Sequence, residues 1–156
     1  MLINPYRPRG QFFCNSAHKL AYLPIKKCAC TSVANYIAGL KTNEVQKPMW
    51  SADNQAVNFD SVTADESELT DYFTFTFVRS PYARFLSFYK NWIVEPEQRN
   101  VLNYYERFGF YANMPFEEAV RTLIDVDDLN LLDDHTAPLT SFVYRESASR
   151  VRFIGK

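Results

Sequence analysis

Apolar residues fall into short runs and helical stripes separated by polar stretches. Leu20–Ile25 is an apolar run of the length of a buried strand. The spacing then changes. Val33, Tyr36, Ile37 and Leu40 stand at i, i+3, i+4 and i+7, which predicts a helix over Thr31–Leu40 with Gly39 near its stop. Tyr72–Arg79 alternates aromatic and β-branched residues with Thr74 and Thr76 and predicts a strand. Ser80 and Pro81 follow as an N-cap and a first-turn proline. Tyr82, Phe85, Leu86 and Tyr89 then form a helical stripe that runs to about Ile93.

Elsewhere the pattern is weaker. Residues 1–18, with Pro5, Pro8 and Gly10, read as an irregular lead-in. Lys41–Asp71 is polar, with an extended piece expected near Ala56–Phe59 and a helical turn near Asp65–Leu69. Helices are expected over Glu97–Phe108 and Pro115–Ile124, the latter with Glu117 and Glu118 where the helix dipole favours acids. An acidic connector follows, then a helical turn or strand at Leu139–Tyr144 and a last strand at Val151–Ile154. Two strand–loop–helix units with helices between them predict an α/β fold with a parallel sheet and a mostly helical second half. The 156 residues fit one domain. Ligands of such sheets gather at the carboxyl ends of the strands, where both clear loops lie.

Composition narrows the chemistry. Aromatics reach 16%, enough for a bulky core and apolar cleft walls. A net charge of -1 gives no global field that would recruit nucleic acid or an anionic membrane, so an anion site must come from local clusters. Cys14, Cys28 and Cys30 are an odd count without zinc spacing, which argues against a disulfide framework and a metal site and for reduced thiols in the cytoplasm. The N-terminal segment lacks the apolar run of roughly 7–15 residues that marks a signal peptide. No window approaches the ~18 apolar residues of a membrane helix.

Two segments offer anion-binding chemistry. In "YLPIKKCACTSVANYI" a predicted strand turns into a helix with no glycine. Amides at Ala29–Ser32, the Thr31 and Ser32 hydroxyls, and Lys26 and Lys27 together could hold a phosphate. The simpler alternative is that Thr31 caps a helix and the lysines are solvated. A Walker loop is disfavoured, because Lys27 precedes Thr31 by four residues instead of adjoining the hydroxyl. In the second segment Arg79 ends a strand and offers a fork suited to phosphate. Ser87 lies two turns into the next helix, and Arg84, three residues before it, shares its helix face. An ordinary surface arginine and a neutral helix serine are the alternative there.

Together these segments resemble the sulfotransferase family, in particular its carbohydrate branch and bacterial relatives. "PIKKCACTSV" looks like the family's 5′-phosphosulfate loop, and "FTFVRSPYARFLSFYKN" looks like its 3′-phosphate motif, with Arg79 and Ser87 at the family's spacing. "DDHTAP" resembles D-x-H-W-x-P-Q, and "RFIGK" resembles a segment near the family's C-terminal end. The four matches run in family order over residues 22–156.

The resemblance implies a P-loop-like sheet and transfer of a sulfuryl group from 3′-phosphoadenosine 5′-phosphosulfate (PAPS), without a metal, to a hydroxyl or amine acceptor. It implies that Lys26, Cys28, Ala29, Cys30, Thr31 and Ser32 form the 5′-phosphosulfate loop and that Arg79 and Ser87 hold the 3′-phosphate. Lys27 aligns with the catalytic lysine, and His135 is the candidate base, the alternative being a structural histidine that hydrogen-bonds the cofactor loop or its own connector. Many relatives carry a base between the first helix and the second strand. Here that stretch offers Asp53, Asp60, Asp65, Glu66 and Glu68, with no basis for choosing among them. His18 has no motif behind it. The sequence departs from the pattern at Lys26, at Cys30, where many relatives have glycine, and at Thr136 and Leu139 in the third motif. Cys30 hints at a β-carbon turned away from the ligand. The C-terminal end is short relative to the family and lacks its closing helix. A minimal enzyme, a truncated one and a form whose site is completed by a partner chain all stay open, as does a homo-oligomer. Expected partners are a small-molecule or glycan acceptor, with neither nucleic acid nor membrane. An inactive nucleotide-binding member and a P-loop kinase are the competing readings.

Overall fold

Short aromatic and apolar runs pair into a five-stranded sheet. The computed structural model describes residues 12–42, 60–62, 69–94, 106–126, 132–143 and 151–156. The strands are β1 (Phe12–Asn15), β2 (Leu20–Tyr22), β3 (Asp60–Val62), β4 (Phe73–Phe77) and β5 (Phe153–Gly155). Their order is β3-β1-β2-β4-β5. β2, β4 and β5 run parallel, with Ala21 opposite Thr74 and Thr76 opposite Ile154. This is the α/β arrangement expected, with an addition. β1 pairs antiparallel with both β2 and β3 and extends one edge of the sheet.

β1 corrects the expectation of an irregular lead-in through residue 18. Phe12 and Cys14 alternate into the core at 1% exposure each, and cross-strand pairing outweighs the weak local signal. Lys19, at φ 52, closes the turn into β2. The buried face of β4 also reverses the simplest reading of its pattern. Thr74 and Thr76 are buried, while Phe73 is half-exposed. The threonines fasten neighbouring segments: the Thr76 hydroxyl donates to Leu23 O at 2.7 Å, and Arg152 N–H donates to Thr74 Oγ1 at 3.2 Å. Gly155 lies under an aromatic ring, for a Cβ there would meet Phe77 Cδ1 and Cε1 at 2.5 Å.

The described residues form two compact units. The sheet unit holds the residues up to Val78 and those from Leu139 onward. Its helix α1 (Cys30–Thr42) runs through Gly39, which is not its stop. Among its described side chains Cys30, Ala34 and Ile37 are buried, while Tyr36 is exposed. The predicted stripe is therefore rotated by about one position. Docking on β1 sets the rotation, since Asn15 Nδ2 donates to Ile37 O at 3.1 Å. A short turn α4 (Thr140–Val143) makes the described part of the expected Leu139–Tyr144 element helical.

The second unit, Arg79–Pro138, contains α2 (Pro81–Tyr89), a π-helical turn (Lys90–Val94) and α3 (Phe116–Ile124). Phe88, Trp92, Ile93, Phe110, Met114 and Ala119 form its core. Phe88 meets Phe110 edge-to-face at 5.3 Å, and the Tyr89 hydroxyl donates to Met114 O at 2.8 Å. α2 buries Arg84 and Phe88 and leaves Tyr82 exposed, so its stripe is rotated as well. The expected element near Ala56–Phe59, all but Leu69 of the turn expected near Asp65–Leu69, and most of Glu97–Phe108 lie outside the described residues.

Candidate functional site

The loop after β2 turns tightly into a helix with no glycine between Tyr22 and the helix start. Leu23 N–H donates to Phe75 O at 2.9 Å, so the segment stays beside β4 past the end of β2. Ile25 is buried, and Cys28 N–H turns back to Ile25 O at 3.2 Å. Lys27 has φ 64 and Ala29 has φ 60. Two residues with side chains therefore occupy the left-handed region, where glycine is the usual occupant. Left-handed residues interleaved with ordinary ones turn successive N–H groups toward one concave side, an arrangement that binds anions. α1 starts directly afterwards, and Val33 N–H to Ala29 O, at 3.0 Å, is one of its first-turn bonds. The first turn of any α-helix directs its amides out of the helix end, adding positive potential at this point.

Side chains sort by face around this turn. Ala29 and Ser32 are exposed, and Lys26, Lys27 and Thr31 are half-buried. Cys28 and Cys30 are buried, so Cys30 does not obstruct the exposed side of the loop. Beneath them the Tyr22 side chain is fully buried, and its hydroxyl has no hydrogen-bond partner among the described residues. Burial pushes the phenol pKa far up, and the Cys30 and Cys28 thiols add to the shift.

The helical unit carries the other candidates. Arg79 and Ser80 are exposed just ahead of α2, and Ser80 occupies the N-cap position without a side-chain capping bond. Ser87 is half-buried on α2. Seven residues separate it from Ser80, close to two full turns, which puts both on one face. Arg84 is turned inward instead, at 4% exposure. Its Nη1 donates to Ala137 O at 2.5 Å and its Nη2 to Asp134 O at 2.6 Å. It fastens the third motif to the helix of the second.

That third motif holds His135. Asp133 Oδ1 accepts the His135 backbone N–H at 2.8 Å and stands 2.5 Å from His135 Nδ1. The imidazole meets the Trp92 ring edge-to-face, with centroids 5.1 Å apart. Sequence reading singled out His135 and missed Asp133 as its partner. The i, i+2 spacing of an Asx-turn was the available signal. His18, by contrast, is a turn residue whose backbone N–H and Nδ1 both bond Asn15 Oδ1 at 3.1 Å. Of the acidic alternatives, Asp60 starts β3, and Asp53, Asp65, Glu66 and Glu68 lie outside the described residues. No group of three or more His, Cys, Asp or Glu residues suited to a metal occurs among the described residues. No helix among them is long and apolar enough to cross a membrane.

A family model described as the sulfotransferase family matches residues 10–156. The chain belongs to the sulfotransferase family. Sulfuryl transfer is the general chemistry of that family, and its members generally draw the group from PAPS. No curated protein and no solved structure shows significant similarity to this sulfotransferase-family chain. The family match takes in the loop, the α2 segment, the His135 turn and the last strand, the four segments that carried the resemblance in the sequence.

Proposed function

We propose that the protein is a PAPS-dependent sulfotransferase acting on a hydroxyl acceptor of the small-molecule or glycan class. The observation that carries this reading is the glycine-free cradle at Lys26–Ser32, with left-handed backbone at Lys27 and Ala29 and a helix start behind it. Strained backbone of this kind costs on the order of 1–3 kcal/mol per residue, persists where the surrounding structure imposes it, and clusters at functional sites. The amides of Ala29–Ser32 and the Thr31 and Ser32 hydroxyls would receive the 5′-phosphosulfate. Lys26 and Lys27 would supply charge, with Cys28 and Cys30 packing the loop from below. Arg79 and Ser87 would hold the 3′-phosphate, the group that separates this donor from ATP.

In the proposed reaction His135 takes the proton of the acceptor hydroxyl on Nε2. The acceptor oxygen forms the new bond to sulfur. The bond between sulfur and the bridging oxygen breaks, and that oxygen leaves on adenosine 3′,5′-bisphosphate with the electron pair. Lys27 places its ammonium against the charge that grows there. The three buried cysteines support a reducing, cytoplasmic compartment for this chemistry.

Thermal shift tests the donor assignment. Adenosine 3′,5′-bisphosphate raises the melting temperature strongly and AMP barely does. Arg79→Ala removes the difference. Equal shifts from both nucleotides on the unaltered protein refute the 3′-phosphate role. A labelled-PAPS screen over glycan, phenol and alcohol acceptors then tests transfer, and binding without transfer to any of them marks an inactive nucleotide-binding member.

A further inference from the structure

We propose that Asp133 is a positioning residue for sulfuryl transfer: its carboxylate holds the Nδ1 proton of His135, which puts the imidazole lone pair on Nε2 and stabilises the imidazolium formed when the acceptor proton arrives. The inference rests on the reading of His135 as the acceptor base.

Three observations carry it. First, one carboxylate oxygen serves both the His135 backbone N–H at 2.8 Å and its ring Nδ1 at 2.5 Å. An Asx-turn needs only the first bond. The second selects a tautomer, because a carboxylate can only accept from an imidazole nitrogen that carries hydrogen. Second, the pair is sheltered unequally. Asp133 has 10% of its side chain exposed and His135 has 19%. The carboxylate is thus largely out of water, where its field on the ring is least screened, and the ring keeps an exposed part.

Third, the turn is held on both sides of the histidine. Arg84 grips the carbonyls of Asp134 and Ala137 from α2, and the Trp92 ring abuts the imidazole from the π-helical turn. Among the described residues the Asp133 carboxylate is the charged group bonded to the ring; Asp134 lies on the same turn, the Arg84 guanidinium bonds that turn's carbonyls, and Trp92 is uncharged. A base held at both the proton and the backbone presents Nε2 in one direction, which general-base catalysis requires.

The test combines nitrogen NMR with kinetics on the full chain. There are two histidines, so His18→Gln assigns the His135 signals. Neutral His135 should show the Nδ1–H tautomer. Asp133→Asn should move the population toward Nε2–H and lower the titration midpoint, because removing an adjacent negative charge disfavours the imidazolium. With PAPS and an accepted hydroxyl substrate, Asp133→Asn should lower kcat by roughly 10²-fold or more and leave adenosine 3′,5′-bisphosphate affinity within about threefold. An Nε2–H tautomer in the unaltered protein overturns the proposal without any variant. So does an Asp133→Asn protein with unchanged tautomer and midpoint. Full turnover in His135→Asn, with the Nδ1–H tautomer observed, would instead remove the base assignment and leave the Asp133–His135 coupling standing.

Discussion

Ala29→Gly puts the cradle geometry to a direct test. Ala29 is exposed and sits at φ 60, so the substitution removes a strained Cβ and almost no packing. Left-handed backbone costs an L-residue roughly 1–2 kcal/mol. Glycine returns roughly 0.5–1 kcal/mol of that through its freer unfolded chain. The balance is a stabilisation of roughly 0–1.5 kcal/mol. At an ordinary helical residue the same change destabilises by about 1 kcal/mol, so the two cases differ in sign. With a urea m-value of roughly 2 kcal/mol/M for a chain of this size, the midpoint should stay or rise by up to ~0.7 M instead of falling by ~0.5 M. Urea unfolding followed by circular dichroism without nucleotide reads this directly. Adenosine 3′,5′-bisphosphate affinity should persist, because the amide directions are retained. A midpoint lowered by ~0.5 M would mean that residue 29 is not left-handed and that the cradle is not built this way.

Two further outcomes follow from the same unit. Lys27→Ala should keep nucleotide affinity within about tenfold and lose most turnover, since its ammonium acts on charge that develops in the transition state; full activity in a PAPS transfer assay would end its catalytic role. Tyr22→Phe removes a buried hydroxyl that has no partner among the described residues, so stability at neutral pH should hold or rise by up to about 1 kcal/mol. The Tyr22 phenol is raised by burial above the ordinary 10.0. Its contribution is complete below that value and is lost as the pH climbs from there toward the folded pKa, because the unfolded phenol ionises first. The alkaline fall in urea midpoint should therefore be shallower in Tyr22→Phe, and matching alkaline limbs would contradict the burial.

Much of the fold could be read from local pattern. β2, β4 and α2 carry strong periodicity or β-branched and aromatic runs, and each appears where its pattern ends in a loop or a proline. β1 had no such signal and exists because β2 and β3 pair with it. The rotation of α1 and α2 was equally hidden. Tyr36 and Tyr82 fit the apolar stripes, yet both are exposed, while Arg84 is buried because two carbonyls satisfy it. Hydrophobic spacing identifies a helix, but its neighbours decide which side is covered.

The order and chemistry of the four motifs were determined by the sequence alone, because residue type and spacing along a strand or helix are local properties. The left-handed backbone at Lys27 and Ala29 was decided by the tertiary structure, since neither residue favours it and the buried anchors at Ile25 and Cys30 impose it from both ends. The pairing of Asp133 with His135 was decided there too: two carboxylates precede His135 in the sequence, and the turn held by Arg84 brings one of them to the ring.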